Sequence, residues 1–372
     1  MLSFWEKDSF VKYDVIIVGA GITGLSTAAS LKEKRPDLSI LVLERGLLPT
    51  GASTKNAGFG CFGSLTELLS DLETMSETDM LGLVEMRWKG LDKTRTRLGD
   101  KNIDYQNNGG YELFFEHDER LNQLDRLNSL LSDIFDKPVY GRTDSLVKKF
   151  GFGKTQHLIF NRFEGQLHTG KLIKSLWQYC NQLGIQVITG AEVLAINSND
   201  QFVEITTAEM TWKAKKVAIC TNAFTNKIIT KKKDIEPGRG LVMAVSPSST
   251  PQFQGTFHYD EGYYYFRNYQ DKIIFGGGRN IDKPSENTTS FDVNDQIQKK
   301  LIYDLENIII PGQSYDIKDV WTGIMAFGPN KSPIIEQSED NIYLGVRLGG
   351  MGVAIGSQVG EALAMQMILN SF

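Results

Sequence analysis

The chain carries Gly19-Ala20-Gly21-Ile22-Thr23-Gly24 directly after an apolar run, Asp14-Val15-Ile16-Ile17-Val18, and no other stretch narrows the fold so far. β-Branched residues without alternation suit a parallel strand buried on both faces. The glycines then have separate tasks. Gly19 permits a tight turn, Gly21 lets backbone N–H groups approach a pyrophosphate, and Gly24 lets the next helix pack against the strand. That helix presents its positive end, about half a charge, to the phosphates. Pro36 stops it. A second buried strand, Ile40-Leu41-Val42-Leu43, ends in Glu44, roughly 20 residues past the last glycine, where the fingerprint places an acid for ribose hydroxyls. A glycine triplet alone would be an ordinary turn. Strand, triplet, helix, strand and acid in this order specify a dinucleotide site, with Gly19 to Gly24, Glu44 and Arg45 as its candidate contacts, Ala20, Ile22 and Thr23 included.

A chain of 372 residues has room for two or more domains. Its net charge of -5 argues against a general nucleic-acid binder. Cys61, Cys180 and Cys220 are scattered, with no metal spacing and no disulfide framework, and the histidines show no metal spacing either. No metal site is expected, and the cysteine usage suits a reducing compartment. No apolar run approaches the roughly 18 residues that span a bilayer. Glu6, Lys7 and Asp8 stand where a signal peptide needs an apolar core. A soluble, cytoplasmic protein with no transmembrane segment is expected, with peripheral membrane contact left open.

Beyond Glu44, residues 45–64 are rich in Gly, Ser and Thr. Such a loop is costly to order without a reason, and its small residues let backbone pass close to a flat ligand. Ser53, Asn56, Ala57 and Gly58 are its candidate contacts. Residues 66–98, 118–134, 170–183 and 291–308 have helical spacing; residues 111–115, 185–188, 193–196, 202–207 and 211–220 read as strands. Val193 opens one of these strands and joins the candidate set. Thr221 and Asn222 end a buried strand, where the crevice rule places ligands. From residue 240 the chain is β-rich. Gly349-Gly350-Met351-Gly352 then repeats the logic of strand, glycines and helix start, without a following acid. A helix N-terminus there suits the pyrimidine edge of a flavin, which gains negative charge on reduction. Two such clusters in one chain favour FAD over NAD.

Taken together, these segments resemble the FAD-dependent D-amino-acid oxidase superfamily, which includes glycine oxidases, sarcosine oxidases and γ-glutamylputrescine-type oxidases. The resemblance rests on Val18 to Gly24 with Glu44-Arg45, on Gly51-Ala52-Ser53-Thr54-Lys55-Asn56-Ala57-Gly58, on Ile274-Phe275-Gly276-Gly277-Gly278, on Trp321-Thr322-Gly323 and on Gly349-Gly350-Met351-Gly352. Tyr265-Phe266-Arg267 and Thr221-Asn222-Ala223 are most similar to the γ-glutamylputrescine oxidase-like branch. The resemblance implies an α/β plus α+β architecture: a Rossmann-like FAD-binding domain of the glutathione-reductase type, with a substrate domain built on a large mixed β-sheet. Residues 1–84, 150–225 and 320–372 are expected in the first, residues 85–149 and 226–319 in the second. Gly323 joins the cofactor contacts. The implied reaction moves a hydride from the carbon beside a neutral amine to flavin N5 and leaves an imine. Its partners would be a small amine or amino acid and O2 or another electron acceptor.

Several features of the superfamily are missing. Met325 stands where D-amino-acid and glycine oxidases place a carboxylate-binding arginine just after W-x-G. Residues 324–333 hold no cysteine, so FAD should be non-covalent. The lysine that sarcosine oxidases use for oxygen activation is replaced near Ile274, and Arg347-Leu348 stand where a Gly-His pair is usual. Arg267, after an aromatic strand, is the first candidate for binding an anionic group, because its planar fork suits a carboxylate. Arg347 beside the late glycines is the second, and Tyr265 a candidate for the pocket wall. Alternative readings are a flavin dehydrogenase passing electrons to a quinone or carrier protein, a non-catalytic FAD-binding protein and, less favoured, an NAD-dependent dehydrogenase.

Overall fold

The computed structural model describes residues 1–199, 201–229 and 232–370. Two eight-stranded sheets organise them. In the first, the strands run in the order Ile334–Glu339, Ile342–Val346, Thr211–Ile219, Lys12–Val18, Ile40–Leu43, Gln186–Ile188, and Val203–Thr206 with Ala195–Ser198 branches from Thr211–Ile219. The four pairings from Ile342–Val346 to Gln186–Ile188 are parallel. Val15, Ile16 and Ile17 are fully buried, as a strand covered on both faces requires. The helix Ile22–Lys34 follows, and Gly352–Leu369 packs against it. The fit depends on missing side chains: a Cβ on Gly356 or Gly360 would fall 2.7 Å from Ile22 or Ser26. Gly352–Leu369 is also the one feature that departs from the expectation of no membrane-length apolar run. It is apolar enough to cross a bilayer by composition, but 56% of it is buried inside the protein, so its hydrophobicity is spent on the core.

The second sheet runs in the order Tyr315–Phe327, Glu236–Pro247, Lys272–Gly277, Tyr264–Tyr269, Thr256–Tyr259, Gly110–Phe114, His157–Asn161, Tyr140–Arg142. It is mixed, because Thr256–Tyr259 and Gly110–Phe114 pair in parallel and the other neighbours are antiparallel. One face is closed by aromatic packing. Phe257 and Phe266 stack with centroids 4.8 Å apart, and Phe253 meets both edge-on, an arrangement that adds to simple area burial. The helix Asp295–Asp304 covers this face through Ile297 and Leu301.

Sheet membership differs from the expected segment boundaries in two places. Residues 320–327, the end of the strand Tyr315–Phe327, lie in the second sheet rather than in the nucleotide segments, and so does His157–Asn161. Both are joined to partners remote in sequence, which local pattern does not report. Smaller shifts occur too. The strand expected at residues 193–196 is Ala195–Ser198, and residues 118–134 break into short turns around the helix Leu124–Leu130.

The helix Glu77–Leu98 contains two glycines in opposite settings. A Cβ on exposed Gly82 meets nothing within 4 Å, whereas one on Gly90 falls 2.2 Å from the Ala354 carbonyl oxygen. Gly82→Ala should therefore stabilise the protein by about 0.5–1 kcal/mol, and Gly90→Ala should destabilise it by about 1–3 kcal/mol through overpacking. Denaturant unfolding of the two variants checks the opposite signs.

Candidate active site

The opening motif folds as its residue types require. Gly19 has φ +104°, and a Cβ there would lie 2.9 Å from the Cys220 carbonyl oxygen. A Cβ on Gly24 would lie 1.9 Å from the Gly19 carbonyl oxygen, so only glycine lets helix and strand meet. Glu44 accepts hydrogen bonds from the Ala20 and Gly46 N–H groups, both 3.0 Å. These bonds fix the carboxylate and leave lone pairs for ribose hydroxyls. Ser53 Oγ accepts from the Ile22 N–H at 3.0 Å, which ties the small-residue loop to the helix start. Arg45 lies over the Phe224 ring, 3.9 Å from its centroid.

A single cavity of about 470 Å³ begins at this turn. Gly19, Gly21, Ile22, Thr23, Glu44 and Arg45 line it, with Val193, Thr221 and Asn222 opposite. Ala20 and Gly24 do not. Ala20 is fully buried with its N–H given to Glu44, and Gly24 serves helix packing; both support the turn.

The cavity continues along Ser53, Asn56, Ala57 and Gly58, then past Gly323 to Gly349, Gly350, Met351 and Gly352. The Asn56 amide donates to the Ala52 and Ser53 carbonyls, and its oxygen accepts from the Gly58 N–H. Trp321 Nε1 donates to the Lys55 carbonyl at 3.0 Å. Gly349 and Gly350 have φ +58° and +82°, and the helix starting at Gly352 opens onto the cavity. Flat backbone on one side and a helix N-terminus on the other make a cradle for an isoalloxazine ring. The residues present therefore fit FAD: the first turn would hold its ADP half, and residues 51–58 and 349–352 would hold its flavin.

The far end is lined by Tyr265, Tyr263, His258, Met325, Phe327 and Arg279. A Cβ on Gly240 would lie 3.0 Å from Met325 Cε and 3.7 Å from Tyr265 Oη, so bare backbone keeps this end open. Burial pushes the Tyr265 phenol up to about 12, and the group stays neutral. Cys61, at the same end, is buried, and burial with Glu164 and Glu67 nearby drives its thiol well above the usual range, which makes it inert.

Two arginines expected in the site are elsewhere. Arg267 does not line the cavity: its guanidinium donates to the Ala57 and Leu167 carbonyls. Burial pulls its pKa down to about 10, so it remains a cation that holds backbone. Arg347 does not line the cavity either. It donates to the Ser332 and Asp234 carbonyls and to Asn330 Oδ1, while its N–H donates to Asn222 Oδ1. An arginine that does line the substrate end is Arg279, which the sequence reading did not single out. It stacks on Phe327, 3.9 Å from the centroid, lies 5.4 Å from that of Tyr263, and makes no hydrogen bond or ion pair among the described residues. Its one signal in the sequence was its place directly after Gly276-Gly277-Gly278. His258 gave none, because its carboxylate neighbour, Glu164, comes from a distant segment.

A family model described as FAD dependent oxidoreductase matches residues 14–366. A curated relative, probable oxidoreductase OrdL from Haemophilus influenzae, is 22% identical over 94% of this chain and 82% of its own length. Among solved structures, L-proline dehydrogenase from P. horikoshii superposes with a TM-score of 0.77 at 16% identity, covering 97% of this chain and 95% of that one. Glycine oxidase from Geobacillus kaustophilus gives 0.76 at 18% identity, covering 97% and 96%.

Arg267→Met should leave two buried carbonyls unpartnered and loosen the loop beneath the flavin. A cost of about 1–3 kcal/mol should show as a lower unfolding midpoint and at least tenfold weaker retention of FAD, measured by release of flavin fluorescence on dilution.

Proposed function

This chain belongs to the DAO family of FAD-dependent oxidoreductases, and on that premise we propose that it oxidises the C–N bond of a small amino acid or amine bearing an anionic group. FAD, held without a covalent bond, would supply the redox chemistry as the two-electron acceptor for oxidation of the C–N bond, and the imine product would be hydrolysed. The chain itself binds, orients and excludes water. Arg267, Asn56 and Trp321 hold the small-residue loop, and Tyr265, Met325 and Phe327 wall the substrate end.

Arg279 is the observation that carries the reading. An unpaired cation drawn partly out of water is costly, and half-buried Arg279 faces the cavity beside two aromatic rings. Burial lowers its pKa, with Tyr263 and Tyr265 working against the shift. A carboxylate brought by a substrate would supply the missing partner in bidentate form. The two structural neighbours are named for glycine and L-proline, and both of those compounds carry a carboxylate.

The test is anaerobic mixing of the yellow protein with glycine, sarcosine, L-proline and iminodiacetate. Bleaching of the flavin by one of them is expected, and failure across the panel would favour a non-catalytic FAD-binding protein. Peroxide on readmitting air selects an oxidase; its absence selects a dehydrogenase that delivers electrons to a quinone or carrier protein. Loss of a charge-assisted contact costs about 1.5–3 kcal/mol. Arg279→Ala should accordingly raise KM for the anionic substrate by at least about tenfold, with a smaller change in kcat. An unchanged KM removes Arg279 from the site.

A further inference from the structure

A buried polar cluster lies against the substrate end of the cavity. His258, on the strand Thr256–Tyr259, lines the cavity and is 6% exposed. In register it sits between Tyr265 on one neighbouring strand and Glu112 on the other. Its Nε2 lies 3.4 Å from Glu164 Oε2 and has no hydrogen-bond partner. Glu164 is 1% exposed; its Oε2 accepts from Thr256 Oγ1 at 3.3 Å, and its Oε1 has no partner. A Cβ on Gly110 would fall 2.0 Å from Glu164 Oε2, so a bare backbone position admits this carboxylate. Cys61 Sγ, a Glu164 oxygen and a His258 nitrogen lie within 4.8 Å of one another.

We propose that His258 takes the proton from the substrate's ammonium group, and that Glu164 is the positioning residue that orients the imidazole and stabilises its cation. The proposal rests on the amine-oxidation reading. Small amines and amino acids arrive as ammonium ions at neutral pH. Hydride cannot leave the neighbouring carbon until the nitrogen lone pair is free to form the C=N bond. One N–H bond therefore breaks, its electron pair stays on nitrogen, and the proton forms an N–H bond on the imidazole. The carbon then loses hydride with two electrons, which FAD accepts.

Other titratable groups lining the cavity are poorly placed for this task. Glu44 is bonded to backbone at the ADP end. Glu261 is paired with Arg120 at 2.8 Å. Tyr265 and Cys61 hold their protons too tightly. Burial alone would raise Glu67, but Lys331, Arg87 and His258 outweigh it and hold the carboxyl low, which makes it a poor base. The groups facing His258 are Glu164, Glu67 on the helix Leu65–Thr74, Glu112 on the strand Gly110–Phe114, Cys61 and Tyr265. Burial alone would lower its pKa; the three carboxylates outweigh burial and raise it above 6.5. His258 is thus a cation below that raised value and a proton acceptor above it, so flavin reduction should fall as pH drops through it.

Two measurements test this on the holoprotein. The first is NMR titration of 13C-histidine, with only four signals to resolve and His258 assigned by its loss in His258→Asn. A pKa above 6.5, lowered in Glu164→Gln, is expected; an imidazole insensitive to Glu164, or one locked by a metal ion and not titrating at all, overturns the proposal. The second is stopped-flow flavin reduction against pH, with whichever of glycine, sarcosine, L-proline or iminodiacetate reduces the wild type. His258→Asn, with its flavin spectrum retained, should be about 100-fold slower at neutral pH. Its rate should then rise about tenfold per pH unit with the free amine, and the wild-type limb should shift to lower pH in Glu164→Gln. An unchanged profile in His258→Asn overturns the proposal alone. No reduction of the wild type by any of the four overturns the amine reading and this proposal with it.

Discussion

The buried guanidinium of Arg267 is the point on which the cavity depends. The loop beneath the flavin cradle is built from small residues and has few side chains with which to pack. Its order comes from hydrogen bonds: Asn56 within the loop, Trp321 from one strand of the second sheet and Arg267 from another. Arg267 also holds the Leu167 carbonyl, so one side chain joins three remote segments. A Cβ on Gly58 would fall 2.2 Å from that same carbonyl oxygen and 3.0 Å from the Arg267 guanidinium. Glycine and arginine are thus fitted to each other, and the cofactor cradle of the first sheet is completed by the second.

How much of this could be read in the sequence follows from how local each feature is. The turn at Gly19, Gly21 and Gly24 is set by residues a few positions apart, and Gly349 to Gly352 repeat it, so both were legible. The second sheet was legible as a β-rich region but not in its strand order, because Tyr315–Phe327 and His157–Asn161 find partners far along the chain. The two arginines show the same limit. Arg267 and Tyr265 share one strand face, and the expectation that both would meet substrate was reasonable. They are two residues apart, about 7 Å along a strand, and that distance separates the cavity from the loop. Arg279 lies beyond its strand in a turn, Arg279–Asp282, where alternation gives no direction.

The charges around the substrate end are arranged to spend most of themselves on one another. Lys331 bridges Asp71 at 2.5 Å and Glu67 at 3.5 Å, and Arg87 donates to the Phe62 carbonyl while lying 4.0 Å from Glu67. Asp71 is raised by burial, with Lys331 working against the shift. Breaking one member of such a network strands its partners in a poorly solvated place. These residues are consequently better suited to holding the cavity's shape than to chemistry. That leaves Arg279, with no such partner, and His258, backed by buried Glu164, as polar groups placed to meet a substrate.

Met325, where the resemblance implies an arginine, is therefore not a simple loss. Phe327 follows Met325 by two residues on the same strand and on the same face, and its ring carries the Arg279 guanidinium. A cation is thus delivered to the same wall from a different segment. Met325 meanwhile fills space beside Tyr265 that Gly240 leaves open. Moving the cation shifts where an anionic group would anchor, and with it which carbon faces the flavin. Relatives with the same sheets and the same cradle can for this reason differ in substrate. On the proposed reading, substrate choice rests on Arg279 and His258 at this end of the cavity rather than on the fold shared with those relatives.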